Sequence, residues 1–191
     1  PDAGQIRIQG QPVSFAGPQD AIRAGVGMVH QHFMLVDRFT VLQNIMLSCG
    51  KKYGWLDKAQ ARQKIATICR GLGLMLDLDC PVGDLPVGLR QRVEIVKLLY
   101  SGGDILIFDE PTAVLTPTET EELLALLREM RAQGKTVLYV SHKLSEVLAI
   151  ADRISVLRQG RLVGTVEAAT ATRERLVEMM IGRAILSAPQ E

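Results

Sequence analysis

An α/β fold built around a short parallel sheet is predicted for this chain, and three observations predict it. Ile105-Leu106-Ile107-Phe108 is an apolar run bounded by Gly102-Gly103 and Pro111, the length and punctuation of a strand buried on both faces. Thr136-Val137-Leu138-Tyr139-Val140 repeats that pattern after a stretch of helical periodicity. Two carboxylates, Asp109 and Glu110, follow the first run directly. That is where an open α/β sheet offers the crevice that usually takes a ligand.

Composition narrows the class. A chain of 191 residues is one domain, or one domain with a subdomain, and 47% hydrophobic content can fill a core. A net charge of +1 gives no general attraction to nucleic acid. No apolar run approaches the roughly 18 to 20 residues of a membrane span, and the polar start Pro1-Asp2-Ala3-Gly4 lacks the apolar segment of a signal peptide. Cys49, Cys69 and Cys80 are odd in number and lack metal-site spacing, which suits packing roles in a reducing cytosol. Pro1 in place of Met fits Met removal before a small residue or a fragment of a longer protein.

Taken in order, Gln5 to Ile8 alternates and Val13-Ser14-Phe15 follows a turn at Gly10-Gln11-Pro12, so a small antiparallel hairpin is expected. Pro18 to Gly25 carries Pro near the start and Gly after the end of a short helix, and Val26 to Val29 is a brief strand. Gln31 enters the turn that follows. His30 and His32 share a strand face without a third nearby ligand and read as surface imidazoles. Thr40 caps a helix over Val41 to Leu47, and Asp57 caps a longer one ended by Gly71 and Gly73. Leu74 to Val82 connects to a helix opened by Leu85-Pro86-Val87-Gly88 and stopped by Ser101-Gly102-Gly103. Pro117 starts a helix whose early Glu119, Glu121 and Glu122 suit the positive dipole end. Ser145 is expected to cap a helix over Glu146 to Ile150. Arg153–Leu157 and Arg161–Val166 pair around Arg158-Gln159-Gly160, Thr172 to Ile181 is a last amphipathic helix, and 184–191 reads as a linker or tail.

These motifs, in this order, resemble the ATP-binding-cassette (ABC) ATPases: Gln31 in its turn, a helical insertion, the glycine-containing helix start near Gly88, Ile105 to Thr112, and Val140-Ser141-His142. Met28 to Val36, Arg92 to Ile95, Glu110 to Pro117 and Ser141 to Leu144 look like the first cassette of the tandem ATPases that serve simple-sugar and nucleoside importers. The resemblance covers nearly the whole chain. It implies a RecA-like P-loop NTPase core over residues 1–183 with a helical subdomain at about 40–102. It also implies ATP and Mg²⁺ as cofactors, and an ATPase that couples hydrolysis to solute uptake. The implied partners are transmembrane permease subunits, a second cassette and, indirectly, a solute-binding protein, with a peripheral place on the cytoplasmic face of the membrane.

By resemblance, Asp109 is the acid of the Walker B strand and holds Mg²⁺ mostly through water, since that ion takes few carboxylates. Glu110 orients and activates the attacking water. Gln31 resembles the glutamine that reaches metal and water and senses the permease, and His142 resembles the switch histidine that donates to the γ-phosphate. Leu85-Pro86-Val87-Gly88-Leu89-Arg90-Gln91 stands where the family has its signature, a helix N-terminus that takes a phosphate of the partner cassette's nucleotide. It departs from the pattern Leu-Ser-Gly-Gly-Gln. Pro86 removes a hydroxyl and a backbone donor, and Leu89 replaces a polar residue, so a weak site is expected there. Thr116 stands where many cassettes have Asp. Phe33, Met34, Leu35 and Phe39 are candidates for a groove that receives a permease helix.

The phosphate-binding loop G-x-x-x-x-G-K-[ST] does not occur in these residues. Gly134-Lys135-Thr136 has Glu129 at the required first glycine and runs from helix to strand, the wrong direction. The chain therefore reads as an interior piece of a longer protein that lacks the N-terminal P-loop strand and helix, and alone it is expected to bind ATP weakly and not to hydrolyse it. The alternative is a non-catalytic module that docks on a permease or on a complete cassette. A soluble cassette of the DNA-repair or translation type fits less well, given the near-neutral charge.

Overall fold

The structure, a computed structural model, describes residues 3–31, 33–48 and 57–182. The chain divides into two compact units, Pro1–Val140 and Ser141–Glu191.

In the first unit, β1 (Ile6–Ile8) and β2 (Gln11–Val13) form the expected hairpin, but its turn is Gln9-Gly10 rather than Gly10-Gln11-Pro12. Gln9 and Gly10 both have positive φ, 50° and 79°, as a two-residue hairpin turn demands. Pro12 then lies within β2 opposite Arg7, tolerated because a two-stranded ribbon leaves every strand an edge. Helix α1 (Pro18–Arg23) leads into β3 (Val26–Val29).

Three helices come next. α2 (Val41–Leu47) starts at a full capping box: Gln43 N–H donates to Thr40 Oγ1 at 3.2 Å, and Thr40 N–H donates to Gln43 Oε1 at 2.9 Å. α3 (Lys58–Gly71) is capped by Asp57, which accepts from the N–H groups of Ala59 and Gln60. α4 (Val87–Tyr100) follows a short 3₁₀ turn, Val82–Asp84. Val41, Ile45, Ile65, Val82, Val93 and Val96 are fully buried together and form the core of this helical part. Cys69 belongs to the same core, where burial pushes its thiol pKa up, so it packs rather than reacts. Cys80 is half-buried, and Cys49 lies outside the described residues.

β4 (Ile105–Asp109), α5 (Pro117–Ala132) and β5 (Thr136–Val140) complete the unit. β4 lies between β3 and β5, parallel to both, with Val29 opposite Phe108 and Asp109 opposite Val140. Leu106 and Phe108 are completely buried. α4 lies on β3 so closely that a Cβ on Gly27 would stand 2.7 Å from Leu98 Cγ.

The second unit holds α6 (Leu144–Ile150), β6 (Arg153–Arg158), β7 (Arg161–Glu167) and α7 (Arg173–Ile181) around Ile154, Val156 and Leu176. α6 starts two residues before the expected Glu146. Lys143 stands at its cap, so Ser145 lies inside the helix. The Lys143 N–H is turned back onto Ser141 Oγ at 3.0 Å, which opens the helix without a hydroxyl cap. The β6–β7 turn is again Gln-Gly, with Gln159 and Gly160 at φ 50° and 73°. Among the described residues no helix is long and apolar enough to cross a membrane.

Candidate active site

Parallel pairing decides which residues can meet. β3 and β4 run in register, so Gln31 leaves β3 at the end where Asp109 and Glu110 leave β4. The Glu110 N–H still donates to Val140 O at 2.9 Å, which holds the acid to the sheet. Its φ is 45°, a left-handed conformation outside the strand. A non-glycine residue in that region stores about 1–3 kcal/mol of strain and persists only where its surroundings impose it. Asp109 is thus the last residue of β4, and Glu110 lies outside the regular alternation of that strand. Asp109 and Glu110 are half-buried, whereas Gln31 is exposed.

His142 is also exposed and belongs to the second unit, two residues beyond the end of β5. The neighbouring Lys143 pairs with Glu146 at 3.2 Å. His32 lies outside the described residues.

The donor set at the strand ends suits a hydrated hard cation. Among the described residues no group of three or more His, Cys, Asp or Glu could enclose a metal. One Asp, a neutral amide oxygen from Gln31 and water are what Mg²⁺ accepts, and what a closed structural zinc site does not.

The start of α4 is built differently from a plain anion site. Pro86 at the cap supplies neither hydroxyl nor N–H, and the N–H groups of Leu89 and Arg90 both turn back onto Pro86 O at 3.0 Å. Val87 is exposed and Leu85 half-buried. The Glu119 carboxylate lies against Gly88, and its pKa is lowered first by the N–H and hydroxyl of Thr116 and then by Gly88 and the nearby Arg92. A Cβ at residue 88 would lie 2.5 Å from Glu119 Oε1, so a larger residue there would displace that carboxylate. Arg90 is spent on the backbone, donating to Leu85 O at 2.9 Å and Gly83 O at 2.6 Å, and it pairs with Asp37. Gln91 is buried and donates to Pro111 O at 2.8 Å, while its Oε1 accepts from none of the described residues. Thus α4 is tied by Gln91 to Pro111, directly after Glu110, and Gly88 lies against Glu119 of α5. Beside them runs a cleft of ≈ 480 Å³ lined by residues of α3, α4 and α5.

Sequence reasoning missed three features here: the kink at Glu110, the Glu119 carboxylate at Gly88, and Glu94. Glu94 is 4% exposed among the apolar residues of α4, and an acid at a buried helical position is the signal that could have found it.

Comparison with known proteins bears on family and fold. The family model described as ABC transporter matches residues 1–113. The nucleoside import ATP-binding protein NupA of Lactococcus lactis subsp. cremoris (strain MG1363) is 45% identical over 186 residues, covering 97% of this chain and 37% of that relative. The guanosine import ATP-binding protein NupO of Bacillus subtilis (strain 168) is 43% identical, covering 97% and 36%. The ribose import ATP-binding protein RbsA 2 of Burkholderia cenocepacia (strain HI2424) is 44% identical, covering 98% and 37%. The chain therefore spans little more than a third of these curated relatives. A nucleotide-free ATP-binding cassette of an ABC transporter superposes with a TM-score of 0.79 at 20% identity, over 97% of this chain and 76% of that one. The ADP conformation of MJ1267, also a cassette of an ABC transporter, gives 0.80 at 24% identity, over 95% and 78%. At those identities the structures establish the fold alone, that of an ATP-binding cassette. With the family model matched over more than half of its residues, the chain belongs to the ABC transporter family.

Proposed function

We propose that this chain is the part of an importer's ATP-binding subunit that carries the hydrolytic acids, in a protein that couples ATP hydrolysis to the uptake of nucleosides or simple sugars. The observation that carries the reading is the placement of Gln31, Asp109 and Glu110 at one end of adjacent parallel strands, with Glu110 kinked out of its strand. Glu110 accepts a hydrogen bond from the attacking water and draws its proton away as the bond to phosphorus forms. His142 donates to the γ-phosphate oxygens, where negative charge builds up. Asp109 and Gln31 would hold Mg²⁺, which supplies charge neutralisation on the phosphates. The segment that opens α4, from Leu85 to Gln91, faces the nucleotide of a second cassette, and its contact is weak because Pro86 lacks a donor and the Glu119 carboxylate lies against Gly88.

The partners are transmembrane permease subunits, a second cassette and, only through the permease, a solute-binding protein, at the cytoplasmic face of the membrane. The names of the relatives support the nucleoside and sugar classes. Met34 and Phe39, 66% and 37% exposed, remain candidates for the permease-facing surface, whereas Leu35 packs against the helical core. A second reading, a non-catalytic docking module, draws support from the altered start of α4.

One experiment separates them. In the full-length protein, Glu110→Gln should lower the kcat of MgATP hydrolysis by about 10²- to 10⁴-fold while ATP binding persists. Retention of hydrolysis by this variant, or no hydrolysis by the wild type, would overturn the catalytic reading. The segment of 191 residues alone should show no useful turnover, because phosphoryl transfer depends on positioning that a phosphate loop provides.

A further inference from the structure

Among the described residues, 33–36 after Gln31 pair with no strand, yet the backbone there is held. Two side-chain grips at alternate residues hold it. Asn44 of α2 takes Val36 by both groups: the Val36 N–H donates to Asn44 Oδ1 at 2.8 Å, and Asn44 Nδ2 donates to Val36 O at 3.1 Å. Met34 is taken in the same way from α4, but by charges. Its N–H donates to Glu94 Oε1 at 2.6 Å, and Lys97 Nζ donates to its carbonyl at 2.9 Å. Lys97 and Glu94 close the loop with an ion pair of 2.7 Å, their side chains 18% and 5% exposed.

The contrast between the grips is informative. A neutral amide suffices for Val36. At Met34 the chain instead uses an ion pair whose glutamate is buried and whose lysine is half-buried. Desolvating such a pair is costly, so it is a poor device for stability alone. Its hydrogen bonds are the strong, charge-assisted kind, and both glutamate oxygens and the ammonium are committed to one another and to the two backbone groups of one residue. The Met34 side chain points outward at 66% exposure, so the gripped residue is also a surface residue. One helical turn of α4 lies between this grip and Gln91, which holds Pro111 directly after Glu110.

We propose that Glu94 and Lys97 are positioning residues that lock the exposed segment around Met34 to α4. A push on Met34 by a permease then moves α4, and with it the segment that follows Glu110. The proposal rests on the importer reading above. It assigns no contact with nucleotide to either residue.

The test uses the full-length protein, free and assembled with its permease in liposomes. Glu94→Met with Lys97→Met removes both charges at similar volume, a replacement that buried pairs often tolerate. Basal MgATP hydrolysis of the free protein should stay within about twofold, as for changes remote from the reacting groups. Its KM for ATP should stay within the same range. Stimulation of hydrolysis by the permease should fall by about 3- to 30-fold, the range for residues that carry coupling. Solute uptake should fall with it. Glu94→Gln keeps an acceptor for the Met34 N–H and drops the charge. It should show the same split at smaller size, and it decides the matter if the double variant does not fold. Full stimulation in the variant that folds would overturn the proposal. So would basal and stimulated rates falling together with Tm, which a merely structural role requires. If the wild-type assembly shows no hydrolysis sensitive to Glu110→Gln, the importer reading itself fails and takes the proposal with it.

Discussion

The two faces of the β3–β4–β5 sheet are unequal. One carries Val29, Leu106 and Phe108, at 1%, 0% and 0% exposure, with α4 packed so that Leu98 meets Gly27. The register places the other set, Met28, Ile107 and Leu138, side by side across the three strands. There Met28 and Leu138 are 38% and 50% exposed, and the next residue along β5 on that face, Val140, is 49% exposed. Among the described residues β5 also has β4 as its only neighbour. Parallel sheets are normally covered on both faces, because their crossovers lay helices on each side. The covered face gives this chain a core of its own. The bare face is apolar in sequence and wet in the structure, so the strands are written for a cover that the described residues do not supply.

The strongest test of that asymmetry is on β4, whose side chains alternate between the faces. Phe108→Ala should cost about 3–5 kcal/mol of stability, the range for deleting a fully buried aromatic ring. Ile107→Ala, one residue away, should cost about 1–2 kcal/mol, because a half-buried side chain gives up only part of its transfer free energy. Urea unfolding of the two variants measures both. Equal losses would mean that the faces are equally buried and that the comparison is wrong.

The sequence showed the strands, the acids and most helix starts, because each has a local signature: short apolar runs, adjacent carboxylates, Thr40 and Asp57 before periodic segments; Ser145 misled, since α6 already starts at Leu144. Other features depend on what meets in space. Glu94 reaches a peptide 60 residues away, and nothing in Arg92-Val93-Glu94-Ile95 announces that. Glu119 was legible as a dipole-end acid of α5. Its engagement with Gly88 on another helix was not, because a glycine's missing Cβ matters only once a neighbour fills the space. The kink at Glu110 is likewise invisible in a run that reads as an ordinary strand end. Pro86 worked the other way: its chemical consequence, a lost donor, is a property of the residue, and it holds at the helix start where the structure places it.

The smallest expected effect is the most discriminating. Leu138→Thr exchanges an apolar side chain for a β-branched one of good strand propensity at a site that is half open to water. In the chain of 191 residues the change should stay within about 0.5 kcal/mol, as for surface positions. In the full-length protein the same substitution should cost about 2–3 kcal/mol if further residues cover this face, since a buried leucine would be lost and a hydroxyl left without a partner. Thermal or urea unfolding of both forms gives the difference directly. A large loss in the short chain would mean that Leu138 is already covered. A negligible loss in both would mean that nothing packs on this face, and that the apolar alternation of β5 serves a surface exposed in the complete protein as well.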